Sequence, residues 1–191
     1  MARPSTRSRV PDRTVPRQQG SLDALCGIYA IINAMRHLMP ELAEDEDARL
    51  FAKLVRRLEK VRGRPLKGVW RGLKIKHMRR LVRHACKAVT RSTGVNLKAS
   101  WVKQSLRERP SLAGLWGELR ERLQPGTVAI VGIGGLEAHW SVAVHVGRSW
   151  LKLIDSDGLT ALKRSGCAVR PTPTRHVLDP SEIILISRPA G

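Results

Sequence analysis

The feature that most constrains this fold is a change of hydrophobic period at Pro125-Gly126. Before it, apolar residues recur at helical spacing; after it, they fall in short runs bounded by turn residues. From Cys26 the positions Ile28, Ile31, Ile32, Met35 and Leu38 follow one helical stripe, which Pro40 closes. The acidic stretch 41–47 opens a second pattern, with Leu50, Phe51, Leu54, Val55, Leu58 and Val61 on one face and Gly63 and Pro65 as terminators. A third pattern covers 74–90 through Ile75, Met78, Leu81, Val82, Ala85 and Val89. Residues 95–109 read as a short strand then a helix, and 112–123 as a helix with Leu115, Trp116, Leu119 and Leu123. Beyond the break, 127–133, 140–146, 150–154 and 183–187 read as strands. Helices first and strands second predict an α+β chain.

Charge narrows the function classes. The 191 residues hold 35 Lys+Arg against 16 Asp+Glu, a net charge of +19. The imbalance is uneven: 41–47 carries five acids and no base, whereas 49–109 holds twenty Lys/Arg with only Glu59 and Glu108. A field of this sign attracts polyanions, so the 49–109 region is a candidate surface for an acidic protein or a nucleic acid. No apolar run approaches the ~20 residues of a membrane span. The N-terminus carries charge but no apolar core of a secretory signal, and the expected location is cytoplasmic. Three cysteines make no disulfide framework and have no zinc-ligand spacing, so a reducing compartment and no metal or organic cofactor are expected. Residues 1–17, with three prolines and no periodicity, read as a flexible basic arm. Residues 18–191 read as one domain, helical over about 26–124 and sheet over about 127–188.

Cys26 stands where the polar loop Gln18-Gln19-Gly20-Ser21-Leu22-Asp23-Ala24-Leu25 gives way to a helix. Unpaired N–H groups and the positive end of the helix dipole favour a thiolate there. Far downstream, His139 opens a strand and Asp155 follows the next one. Cysteine, histidine and carboxylate so placed make an activated nucleophile, with the carboxylate orienting the imidazole. Rivals exist for each position. His145 lies on the same strand as His139, six residues on, but near its end, while His37, His77, His84 and His176 are more distant candidates. Asp157, in the same turn, could replace Asp155 as the orienter, but Asp155 directly follows the apolar 151–154 strand; Cys86 and Cys167 lack the setting of Cys26. Gly132-Ile133-Gly134-Gly135 is too loose for a nucleotide loop and reads as a substrate-side loop. The tryptophans are core candidates, with Trp70 and Trp101 set among basic residues where they could stack on bases.

Gln19, Cys26-Gly27, His139-Trp140-Ser141-Val142 and Asp155, in that order, resemble the motifs of papain-like cysteine peptidases. Within that clan the chain is most similar to the bacteriocin-processing double-glycine leader peptidases, over roughly 18–40 and 127–158. The resemblance implies a papain-like fold: an N-terminal helical subdomain carrying the cysteine, packed on a C-terminal antiparallel sheet carrying the histidine and aspartate. It implies a stand-alone peptidase with a Cys26–His139–Asp155 triad, Gln19 at the oxyanion and a protein or peptide substrate. Two positions depart from the pattern. Gln19 lies seven residues before Cys26 where the family has six, which leaves Gln18 as an alternative, and Leu25 occupies the family's aspartate position. Two other functions stay open: an acyl transferase or transglutaminase-like enzyme on the same site, and a non-catalytic basic nucleic-acid-binding module.

Overall fold

Helix α1 (Cys26–Leu38) is apolar nearly all round, and a helix of that kind has to be buried on every side. The computed structural model, which describes residues 16–18, 25–42, 44–62, 73–136 and 138–189, places it at the centre. Two further helices, α2 (Glu44–Arg62) and α3 (Ile75–Thr93), cover one side of it, and a sheet covers the other. Ile28, Ile31 and Met35 of α1 share one core with Leu54 of α2, Met78 and Leu81 of α3 and Val128, Ile130 and Val142 of the sheet. Gly27 explains how closely these pack: a Cβ there would lie 2.6 Å from Met78 Sδ and 2.9 Å from Leu73 Cδ1.

The α1–α2 contact has a polar clasp. The Arg36 guanidinium, buried in α1, pairs with the buried Asp47 carboxylate of α2, and Arg17 Nη2 reaches the same oxygen at 3.3 Å. Asn33 holds the Arg17 backbone in both directions, accepting from its N–H at 2.8 Å and donating to its carbonyl at 3.2 Å. Residues 1–15 of the expected arm lie outside the described residues.

The strands are β1 (Lys98–Trp101), β2 (Thr127–Gly135), β3 (His139–Val146), β4 (Trp150–Ile154), β5 (Ala161–Lys163), β6 (Cys167–Ala168), β7 (His176–Val177) and β8 (Ile183–Ser187). The main path runs β1-β8-β2-β3-β4-β5, antiparallel at every step. The small β6–β7 pair is parallel, and β7 extends the ladder at the end of β2, where Gly134 faces Val177. Gly132 to Gly135, expected as a loop, is therefore the end of a strand. The ladder supplied by β7 keeps it extended.

Helices α4 (Gln104–Glu108) and α5 (Leu112–Arg122) complete the chain, and α5 lies on the sheet face opposite α1. Along β2 and β8, Val128, Ile130, Ile184 and Ile186 enter the α1 core, while Ala129, Val131, Ile183 and Leu185 enter the core under Leu115, Trp116 and Leu119. Burial on both faces is why these strands are continuous apolar runs rather than alternating ones. The helical and strand-rich halves of the sequence thus interleave: α5 crosses to the far face, and β1 joins the sheet edge beside β8. Among the described residues, no helix is long and apolar enough to cross a membrane.

Candidate active site

Cys26 is the first residue of α1, with Leu25 as its N-cap. A leucine side chain accepts no hydrogen bond, so Leu25 gives the first turn of the helix no side-chain cap. The thiol is nearly buried, at 6% exposure. His139 begins β3, and Trp140 beside it anchors the strand through Nε1–H, which donates to the Leu73 carbonyl at 2.7 Å. Asp155 directly follows β4 and is 3% exposed.

The three side chains meet. His139 Nε2 donates to Asp155 Oδ2 at 2.7 Å, and the Cys26 side chain lies close enough to the ring to act on its charge. Since Asp155 takes Nε2, the nitrogen left for the thiol is Nδ1. The second Asp155 oxygen accepts from the backbone N–H of Asp157 at 2.7 Å and of Leu159 at 3.3 Å, an Asx turn that fixes the carboxylate. Asp155, rather than Asp157, is the carboxylate on the imidazole. His145 is exposed and lies beyond a register shift between Ala143 and His145, so the strand face it would share with His139 is lost.

Electrostatics follow from the geometry. Burial alone would depress the His139 imidazolium, but the hydrogen bond to Asp155, the interaction with Cys26 and the charges of both outweigh it and push His139 up to about 10. Burial would likewise raise the Asp155 carboxyl; His139, Ser141 and the Asp157 N–H together hold it below the ordinary value. The Ser141 hydroxyl, fully buried two residues along from His139, lies near Asp155 but outside regular hydrogen-bond geometry. The other two thiols are different. Cys86 and Cys167 are buried, and burial pushes each up to about 11.

Cys26 and His139 open onto a cavity of 230 Å³, also lined by Leu73, Gly132, Trp140 and Glu182. Gln19 lies outside the described residues, and Gln18 lines a separate groove with Tyr29 and Phe51. Sequence reasoning missed Glu182, whose only signal is an acid standing immediately before the apolar run of β8. Among the described residues, no three His, Cys, Asp or Glu side chains form a metal-binding group. The chain matches no protein-family model, no curated protein and no solved structure.

The described basic residues of α2 and α3 divide between an exposed face and partly buried contacts. Lys76, Arg80, Arg83, Lys87 and Arg91, spaced three or four apart, are all exposed on α3. Beside them, Lys53, Arg56 and Arg57 of α2 and His84 of α3 line a 190 Å³ hollow. His84 is lowered by burial and then by Arg57, Arg91, Lys53 and Lys87. Arg79 belongs elsewhere: its guanidinium lies 5.1 Å from the Trp101 ring centroid, and Nη2 donates to the Ser181 carbonyl at 3.0 Å. Arg83 also lies over Trp101, at 5.3 Å, so that ring is already occupied by two guanidinium groups. Trp70 lies outside the described residues.

Proposed function

We propose that the protein is a thiol hydrolase, a papain-like cysteine peptidase that cleaves a peptide or isopeptide bond. One observation carries the reading: a helix start, a strand start and a strand end, far apart in sequence, bring Cys26 to His139 at the edge of a cavity, with Asp155 hydrogen-bonded to the far nitrogen of the imidazole. Cys26 gives its proton to His139, or has already given it in a resting thiolate–imidazolium pair, and the imidazolium is held by Asp155. The thiolate attacks the substrate carbonyl, and the backbone N–H of Cys26, with the Gln19 amide, takes the oxyanion. His139 then protonates the leaving amine, and water, losing a proton to His139, releases the acyl group from sulfur. Three free, buried cysteines suit a reducing compartment, in keeping with a cytoplasmic protein.

The test is thiol reactivity followed by turnover. With iodoacetamide at neutral pH, peptide mapping is expected to find Cys26 modified well before Cys86 or Cys167, and His139→Ala to remove that lead. Slow and equal modification of all three thiols would end the hydrolase reading. An acyl transferase on the same site would be recognised by added amines intercepting the acyl-enzyme. The eight exposed or hollow-lining cations of α2 and α3 support a second role for this chain, recruitment of an acidic protein or a nucleic acid at a face separate from Cys26.

A further inference from the structure

Glu182 lines the cavity of the nucleophile and, although Lys74 stands on the same wall, makes no ion pair with any described residue. Among the described residues, every buried acid has a positively charged or imidazole partner: Asp47 has Arg36, Glu118 has Lys103 and Arg122, and Asp155 has His139. The half-buried Glu182 carboxylate has no ion pair or side-chain hydrogen bond to a described residue; Lys74 lines the same cavity without pairing to it, and the charge of Asp179 acts against its ionised form. In a chain with 35 Lys+Arg, that is an unusual position for a carboxylate to be left in.

The group is also built into place. It ends the short 3₁₀ turn Pro180–Glu182, in which Asp179 Oδ1 accepts from the Ser181 N–H at 2.7 Å. Arg79 of α3 grips the Ser181 carbonyl of the same turn from the helical side. The Glu182 side chain lies across Gly132, where a Cβ would stand 2.8 Å from Oε2, 3.0 Å from the Glu182 Cβ and 3.3 Å from the Trp140 ring. Glycine at 132 therefore makes the room that Glu182 fills. Glu182 and Gly134 are shared between the Cys26 cavity and a neighbouring 490 Å³ concavity bordered by Pro171, Pro173 and Asp179. The carboxylate stands where the two meet.

We infer that Glu182 is a specificity residue that receives a lysine or arginine side chain of the substrate, close to the bond presented to Cys26. This rests on the thiol-hydrolase reading and extends it to a class of substrate. The physical reason is that burial and the charge of Asp179 both disfavour the Glu182 carboxylate in the free protein. An incoming cation relieves both, whereas a neutral or acidic side chain relieves neither.

The test uses three methanethiosulfonate reagents of similar size bearing trimethylammonium-ethyl, hydroxyethyl and sulfonatoethyl groups, with mass spectrometry following modification at Cys26 in the whole protein. A net charge of +19 by itself would speed the anionic reagent. The expected result is the reverse, the cationic reagent faster than the anionic one by about tenfold. Glu182→Gln should abolish the preference and Glu182→Lys invert it, while Glu182→Asp, which keeps the charge, should retain part of it. Faster anionic labelling of the unaltered protein, which needs no variant to fold, would overturn the role of Glu182 and leave the hydrolase reading standing. So would a cationic preference that survives Glu182→Gln. Failure of Cys26 to react with any of the three would overturn the hydrolase reading and this inference with it.

Discussion

At His139 two opposed influences act on a single imidazole. Burial works against its charged form, while Asp155 at 2.7 Å and Cys26 work for it and prevail, leaving it at about 10 against an ordinary 6.5. A pKa raised on folding stabilises fully below the unfolded value and loses that contribution as pH climbs through the folded one. Asp155, held below its ordinary 3.8, contributes above that value and loses its contribution as pH falls further. Together the pair stabilises most between about pH 4 and 6.5. Urea unfolding is therefore expected to show the unaltered protein losing stability between pH 6.5 and 10 more steeply than His139→Gln. In Asp155→Asn, NMR titration should place the His139 midpoint well below that of the unaltered protein; an unmoved midpoint would mean that Asp155 does not hold the imidazolium. Cys26, His139 and Asp155 were legible in the sequence because each sits at an element boundary, where a side chain can leave the core. Glu182 was not legible, since its significance lies in its sharing a cavity with Cys26, which only folding reveals.

Helix α1 is held by contacts of two kinds, and each makes a prediction. Asp47→Ala leaves the Arg36 guanidinium buried without its carboxylate, and denaturant unfolding is expected to record a loss of about 3–5 kcal/mol. Asp47→Asn, which keeps a hydrogen-bond acceptor, should lose less than Asp47→Ala. Gly27→Val sets branched carbons where Met78 and Leu73 already lie, and should lower Tm through overpacking worth about 1–3 kcal/mol. The apolar stripes that define α1, α2, α3 and α5 could be read because a 3.6-residue period survives over three or more turns. The third helix runs to Thr93, past the expected 90, because Gly94 at φ +75° supplies the left-handed cap. Strands β5, β6 and β7, of two or three residues each, carry no period to read and exist through their neighbours.

On the molecular scale the positive charge is spread over the surface, and the cations of α2 and α3 are its dense part. The triple variant Arg56→Glu, Arg57→Glu, Lys87→Glu should weaken binding of a labelled duplex oligonucleotide or of polyglutamate, whichever the unaltered protein prefers. The affinity of the unaltered protein should fall steeply with salt, and iodoacetamide labelling of Cys26 should be unchanged in the variant. Concerted loss of Cys26 reactivity in a still-folded variant would show that this face helps to build the cavity. Arg79 is unsuited to such a test despite its place in the basic run, because it holds Trp101 and the Ser181 carbonyl.

Sequence alone determined the element types, the long helices and strands, and the three boundary positions that meet in the candidate site, all of which rest on local periodicity and on residues that punctuate it. It also determined the net charge and the reach of the basic run. Tertiary structure alone decided which face of the sheet each helix covers, which carboxylate reaches the imidazole and which arginines remain free. It decided, too, that the Glu182 carboxylate lines the cavity of Cys26 without an ion pair to any described residue. Those outcomes depend on distances between residues far apart in the chain, and no local pattern encodes a distance that packing has yet to set.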